Sequence, residues 1–347
     1  MRKQGLKKFI LSVLIATLSV GVLSGCGAEK NNKSTENKND AQITEYKKVI
    51  ISGAGVDSKG NVSLGGNAAI AKDQGFLEKE LNEVGYTAEY VGFQTAGVGA
   101  NEALAAKEAD IAIYGDFPAV TYIASGNDAK IFAGDTTRNQ LGIFAKPGIE
   151  SVADLKGKKV CTMLGTTAYL YLVNQLKEAG LSVDDVEIVN SAGDAASLYI
   201  AGEVDAIVNG PQLYWGIELQ GGEGKQIAIN GDKEELSSYN VVIGRTEFLD
   251  NNKEVEQAIV TALDKAQKWA NENEQKVYEV FAEASGAFSA DKYKEYYSFE
   301  DDFADMNPEI TDAYNNHLQE VADFLYENQL VASKIKVADY IEKVEIK

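Results

Sequence analysis

The chain has 347 residues, enough for two hydrophobic cores rather than one. Its hydrophobic content of 45% and its charged content of 25% are those of an ordinary globular protein. The formal net charge of −20 argues against nucleic acid as a partner, because phosphate binding needs clustered Lys and Arg.

The amino-terminal residues 1–25 predict a bacterial signal peptide. A basic segment, 1–8, precedes an apolar run, 9–22, that is short for a membrane span. The sequence Leu-Ser-Gly-Cys ending at Cys26 resembles the lipoprotein box, in which the cysteine carries lipid. The alternative is an ordinary secretory cleavage site beside a chance cysteine. Residues 26–46 are therefore predicted to be a lipid anchor and flexible tether on the outer face of the cell membrane.

Residues 110–126 predict a strand, a turn and a helix. The apolar run 111–114 has the length and composition of a buried strand. Gly115 and Asp116 interrupt it, and Pro118 is typical of a first helical turn. A helix that begins at the end of a strand points free backbone N–H groups outward, which favours a small anion.

This pattern occurs twice in the chain. The segment that contains Asp110 and Gly115 resembles one that contains Asp205 and Gly210. The two aspartates are 95 residues apart. Matching helices and strands precede both copies. Two similar βαβαβ units predict two similar lobes with ligand-facing turns.

Breaks in the pattern divide the mature chain. Residues 47–147 are predicted to form the first lobe, 148–237 the second lobe, and 238–347 a return to the first lobe with carboxyl-terminal helices. Lys146-Pro147-Gly148 marks the first predicted crossing.

Catalytic motifs are missing from the sequence, so no enzymatic activity and no cofactor are predicted. Cys161 lies in a strand pattern and is expected to be a buried, inert thiol. His317 is the sole histidine and is expected to be a packed or surface residue. Metal-site spacings are also missing.

Several motifs together resemble a known family. GDFPAVTYIASG, SVADLKGKKV, AGEVDAIV and LQEVADFL, in this order, are similar to the solute-binding lipoproteins of ABC importers for nitrate, sulfonate and taurine. The resemblance implies a two-lobed periplasmic-binding-protein-like α/β fold of type II, with mostly parallel mixed sheets flanked by helices. It also implies a small-molecule ligand, ABC permease subunits as partners, and a monomer. One departure is Asn209-Gly210-Pro211, where many relatives carry a Trp-Asp-Pro-type turn.

If the ligand lies between the lobes, it meets the helix starts. We expect the ligand-binding residues to be Asn67, Thr95, Ala96, Gly115, Asp116 and Arg138 from the first lobe, and Thr166, Thr167, Gly193, Asn209 and Trp215 from the second. Their N–H and hydroxyl groups suit sulfonate or nitrate oxygens. The alternative for the polar members is helix capping whatever the function.

Three of these residues bear on the kind of ligand. Asp116 would pair with the ammonium group of a zwitterion such as taurine, or with a protonated aminopyrimidine; Arg138 would clamp an oxyanion or form a surface ion pair. Trp215 would wall an organic tail or pack in the core. Alternatives to the importer hypothesis are an aminopyrimidine binder, and an adhesin or sensor on the same fold.

Overall fold

A computed structural model of the chain describes residues 45–57, 60–191, 193–230, 238–286, 288–296, 303 and 306–346. These residues belong to one compact unit. It contains two α/β lobes, each built on a five-stranded sheet. The predicted signal peptide and the lipidation site at Cys26 lie outside the described residues.

The first lobe takes its strands from two separate segments of the chain, 47–139 and 238–245. Its strands are β1 (Lys47–Ser52), the hairpin β2 (Gly55–Val56) and β3 (Val62–Ser63), β4 (Tyr86–Val91), β5 (Ile111–Gly115), β6 (Ala129–Asn139) and β12 (Ser238–Arg245). Its helices are α1 (Gly66–Asp73), α2 (Phe76–Glu83), α3 (Gly97–Ala105), α4 (Asp116–Ala124), α8 (Thr246–Asn251), α9 (Lys253–Glu272), α10 (Glu274–Ser285), α11 (Ala290–Tyr296) and α12 (Asp312–Glu327).

The second lobe is continuous in sequence. Its strands are β7 (Gly142–Ala145), β8 (Lys159–Thr162), β9 (Glu187–Asn190), β10 (Ala206–Asn209) and β11 (Lys225–Ile229). Its helices are α5 (Thr167–Glu178), α6 (Ala195–Ala201) and α7 (Pro211–Leu219).

The two sheets have the same topology. The strand order is β4-β1-β5-β12-β6 in the first lobe and β9-β8-β10-β7-β11 in the second. In each sheet the first three strands are parallel and the fourth runs antiparallel to its neighbours. The duplication predicted from the sequence therefore appears as two lobes of one design, and the predicted two-lobed α/β fold is confirmed.

The repeated aspartates have the same structural role. Asp110 accepts a hydrogen bond from the backbone N–H of Ile50 through Oδ2, at 3.0 Å, and Asp205 accepts one from Lys159 in the same way, at 2.9 Å. Each aspartate thus ties a strand, β1 or β8, to the residue just before its parallel neighbour, β5 or β10. The sequence repeat preserves this contact because it fixes the register of neighbouring parallel strands.

The first crossing between the lobes precedes its predicted position. Strand β7 pairs with β10 and β11, so it belongs to the second sheet. The chain therefore crosses between Asn139 and Gly142, and the predicted boundary at 147/148 is wrong by several residues. A four-residue apolar strand has the same sequence pattern in either lobe, and only its pairing partners decide its sheet. The second crossing falls between Ile229 and Ser238.

The carboxyl-terminal helices cover the first lobe. Helix α9 packs on α1 and α2, and α12 packs on α4. Val255, Ile259 and Leu263 of α9 are fully buried, as expected for residues three to four positions apart on one helix face.

Candidate functional site

A cleft of about 420 Å³ is lined by residues of both lobes. Gly115 of the first lobe and Gly210 of the second, which end the two sequence repeats, both line it. Each glycine closes an inner parallel strand, β5 or β10, and caps the helix that follows, α4 or α7. The paired topology therefore brings the two repeated turns to one shared site.

Five of the predicted residues line the cleft. They are Ala96, Gly115, Thr166, Thr167 and Asn209. Thr166 does not cap its helix, because its Oγ1 donates to the carbonyl of Met163 at 2.7 Å instead of accepting from the first turn of α5. Capping therefore does not explain this threonine.

Asp116 is the main correction among the predicted site residues. Its side chain is inaccessible, and it accepts hydrogen bonds from the N–H groups of Phe117 and Tyr239 at 2.6 and 2.8 Å. Oδ2 also lies 2.6 Å from Nε2 of His317. The carboxylate is therefore directed into the first lobe, away from any ligand ammonium in the cleft.

Trp215 is the second correction. Its ring packs edge-on against Phe288 and Tyr293, at centroid distances of 5.2 and 5.9 Å, and Lys292 lies over its face. Trp215 therefore joins α7 to the carboxyl-terminal helices rather than walling the cleft.

Three further predicted residues, Asn67, Thr95 and Gly193, are not among the described residues that line the cleft. Asn67 is buried and its amide donates to the carbonyl of Met306. Thr95 is exposed, one residue before the cleft wall at Ala96. Gly193 of the second lobe lies close to Gln94 of the first, since a Cβ placed on Gly193 would be 3.9 Å from Oε1 of Gln94. Arg138 lies in β6, and the prediction for its side chain falls outside what the structure describes.

Carboxamide side chains are the feature that sequence reasoning missed. Five of them line the cleft: Asn139, Gln140, Asn209, Gln212 and Asn240, of which only Asn209 was predicted. Asn139 and Gln140 lie at the first crossing, so an earlier placement of that crossing would have revealed them.

Helix α7 offers few free amides at its start, because Oδ1 of Asn209 accepts from the N–H of its cap Gly210 at 2.7 Å and its first residue, Pro211, has no N–H. Two other helices, α3 and α5, present amino termini at the cleft without a side-chain cap from any described residue. Their first residues, Gly97 and Thr167, line the cleft. Free amides of this kind, with the positive end of the helix dipole, bind an oxyanion without a charged side chain.

An acidic side chain lies behind the cleft wall. Among the described residues, no Lys, Arg, Asp or Glu side chain lines it. Asp135 is fully buried beneath the wall, and this burial raises the pKa of its carboxyl group to about 7. Hydrogen bonds from Ala68, Asn240 and Asn67 lower the pKa but do not offset the burial.

The described residues offer little to other chemistry. Burial raises the pKa of the Cys161 thiol, so it is a poor nucleophile. No group of three or more His, Cys, Asp or Glu side chains in the described segments is placed to hold a metal ion. Within those same segments, no helix is both long and apolar enough to cross a membrane.

Sequence relatives are named as binding proteins. A Brucella abortus protein whose name describes it as a binding protein is 26% identical over 216 residues, which cover 62% of this chain and 66% of that protein, just under two thirds of its length. An Escherichia coli protein named for binding aliphatic sulfonates is 24% identical over 82% of this chain and 86% of its own.

Solved structures share the fold. The alkanesulfonate-binding protein SsuA of Xanthomonas axonopodis, bound to MOPS, superposes with a TM-score of 0.72 at 20% identity, covering 86% of this chain and 99% of its own. The desulfurization enzyme DSZB superposes with a TM-score of 0.61 at 15% identity, covering 86% and 96%. At these identities the likeness establishes the fold, and the fold alone does not separate binding from catalysis.

The family model described as NMT1/THI5 like matches residues 68–277. This segment holds most of both lobes and nearly all of the cleft wall. The chain therefore belongs to the NMT1/THI5-like family.

Proposed function

We propose that this chain is the solute-binding component of an ABC importer and captures a small sulfonate, or a related oxyanion or zwitterion, by closing two lobes over it. The supporting observation is that Gly115 and Gly210, one from each lobe, line the same cleft. The sulfonate-binding names of similar proteins favour that ligand class.

The uncapped helices supply the binding chemistry. The anionic head accepts hydrogen bonds from the first amides of α3 in the first lobe and of α5 in the second. A ligand that touches both lobes stabilises the closed form over the open form, because only the closed form offers both sets of donors. Chemical turnover plays no part in this role.

The direct test is ligand binding by residues 43–347, the compact unit. Thermal shift against alkanesulfonates, taurine and nitrate should show stabilisation of about 2.7 kcal/mol at about a hundred times Kd. Thr167→Val, which removes a cleft hydroxyl, should weaken binding, whereas Thr261→Val on α9 should not. A flat response across the panel would reject the proposal, and turnover of any ligand would favour an enzyme.

A second candidate ligand is an aminopyrimidine. The five carboxamides of the cleft favour it, because an amide group pairs with adjacent donor and acceptor atoms on a heterocycle edge. Stabilisation by 4-amino-pyrimidines with no response to any sulfonate would select this ligand class.

We further propose that Cys26 is lipidated, and that the protein is a monomer held at the outer face of the bacterial membrane. The signal-like sequence before Cys26 supports this location. Labelling cells with a radioactive fatty acid should mark the natural protein and leave Cys26→Ala unmarked. Light scattering on the purified protein tests the monomer.

A further inference from the structure

The amino terminus of α1 is already occupied by a carboxylate of the protein. Oδ1 of Asp135 accepts a hydrogen bond from the N–H of Ala68 at 2.7 Å. Gly66 has φ of +51°, and a Cβ there would lie 2.6 Å from Oδ2 of Asp135, so glycine lets the chain pass over the carboxylate. The first turn of α1 is thus satisfied from within.

The start of α4 is occupied in the same manner. Oδ1 of Asp116 accepts from the N–H of Phe117, and its other oxygen is held by Tyr239 and His317. In the first lobe, α3 therefore remains as the uncapped helix start on the cleft. It faces α5, since a Cβ on Gly165 would lie 3.7 Å from Val98.

Asn240 connects Asp135 to the cleft. Its Nδ2 donates to Oδ2 of Asp135 at 3.4 Å, and its side chain lines the cleft beside Gly65. A carboxyl group therefore lies directly behind this end of the cleft, and it carries a negative charge when it is ionised. The described lining residues carry no positive side chain to offset it.

Burial makes this charge costly to the protein. The raised pKa of Asp135 reports that its surroundings stabilise the ionised form less well than water does. A donor group brought by a ligand to the Asn240 end would stabilise it, and a second anionic group would be repelled.

We propose that Asp135 is a specificity-determining residue, which restricts the cleft to ligands with one anionic group between α3 and α5 and favours a hydrogen-bond donor or ammonium group at the Asn240 end. This inference rests on the proposed binding function. A cleft of this kind should exclude dianions and bind zwitterions more tightly than simple alkyl anions.

Four sulfonates with the same two-carbon skeleton test the inference on the natural protein. Ethanesulfonate has no donor, isethionate adds a hydroxyl, taurine an ammonium and sulfoacetate a second anion. Calorimetric titration at about pH 8, where Asp135 is ionised, should give the affinity order taurine, isethionate, ethanesulfonate, sulfoacetate. Taurine and sulfoacetate should differ by at least about a hundredfold, which is about 2.7 kcal/mol.

Asp135→Asn removes the charge and keeps the shape. In this variant the ratio of the taurine affinity to the sulfoacetate affinity should fall by at least about tenfold, and the ethanesulfonate affinity should be nearly unchanged. Asp264→Asn is the matched control, because Asp264 is also buried but pairs with Lys268 on α9. It should leave the order and the spacing of all four affinities as they are.

The outcomes separate this inference from the proposed function. Equal affinities for the four sulfonates in the natural protein, or tightest binding of sulfoacetate, would overturn the role of Asp135 while leaving sulfonate binding intact. Binding of none of the four would overturn both.

Discussion

Nε2 of His317 lies 2.6 Å from Oδ2 of Asp116, although 201 residues separate the two in the chain. The imidazole also stacks on the ring of Tyr239, with centroids 3.8 Å apart. Through these contacts α12 holds Asp116, the first residue of α4, and Tyr239, near the start of β12. The sole histidine therefore supports the cleft from behind.

Removing His317 should destabilise the protein. In His317→Ala the buried carboxylate of Asp116 loses a partner, and we expect a loss of about 3 kcal/mol in the free energy of unfolding. Urea denaturation at neutral pH measures it. His317→Gln retains an N–H donor and should lose less than half as much. Equal losses in both variants would show that ring packing, not the hydrogen bond, carries the effect.

Asp135 should impose a pH dependence on stability. Its pKa is raised from 3.8 to about 7 in the folded protein, so between these values the folded state binds a proton that the unfolded state does not. Its contribution is therefore fully present below about pH 4 and declines as the pH rises through about 7, by up to about 4 kcal/mol. Among the described residues, Tyr314 of α12 is a titratable group that faces it, and burial keeps this phenol neutral by raising its pKa.

Comparison of two proteins isolates this contribution. The stability of Asp135→Asn minus that of the natural protein should grow from about pH 5 to about pH 8, as measured by urea denaturation at each pH. A difference that shrinks over this range would show that the carboxylate is stabilised by its partners.

Asn230, which follows β11, should stabilise the first crossing between the lobes. Its buried amide donates to the carbonyl of Asn139 and accepts from the N–H of Leu141, both at 3.0 Å, so it bridges the residues on either side of Gln140. Asn230→Ala should lose about 2 kcal/mol of stability and weaken ligand binding, because Gln140 lines the cleft.

Calorimetry and X-ray scattering with and without ligand would follow that effect. Asn328→Ala is the control, because the exposed amide of Asn328 donates to the carbonyl of Phe324 at the end of α12. This variant should change neither the stability nor the ligand affinity. Unaltered binding by Asn230→Ala would show that the crossing keeps its shape without the bridge.

The paired aspartates should differ in importance. Asp110 and Asp205 make the same strand contact, but Asp110 also pairs with the largely buried Arg245 at 2.5 Å. Asp110→Ala should cost about 3 kcal/mol and Asp205→Ala about 1 kcal/mol, since the first removes the nearest carboxylate from a largely buried guanidinium. Calorimetric melting of each variant measures the difference, and equal losses would contradict the inference.

The sequence predicts what depends on local pattern. The apolar run 111–114, the Gly115 turn and the spacing of Val255, Ile259 and Leu263 gave strand, turn and helix as the structure has them. The repeat around Asp110 and Asp205 predicted two lobes, because the same strand contact needs the same residue at the same place.

Contacts between distant segments could not be predicted. Strand β7 joined the second sheet because of its partners, and Asp116 turned inward because His317 reaches it from α12. Trp215 packs against Phe288, just before α11, and Tyr293 of α11, a contact between distant segments that no local pattern encodes. Asn139 and Gln140 lie at the first crossing, whose position follows from those same distant pairings.

The split of the first sheet fixes an order of assembly during synthesis. All five strands of the second lobe leave the ribosome as one continuous segment, 142–229, whereas β12 must insert between β5 and β6 after that whole segment has been made. We therefore expect the second lobe to acquire protease resistance while the first lobe still lacks its inner strand β12. Nascent chains arrested while β12 is still inside the ribosome, and others arrested after it has fully emerged, would reveal this order on brief protease digestion.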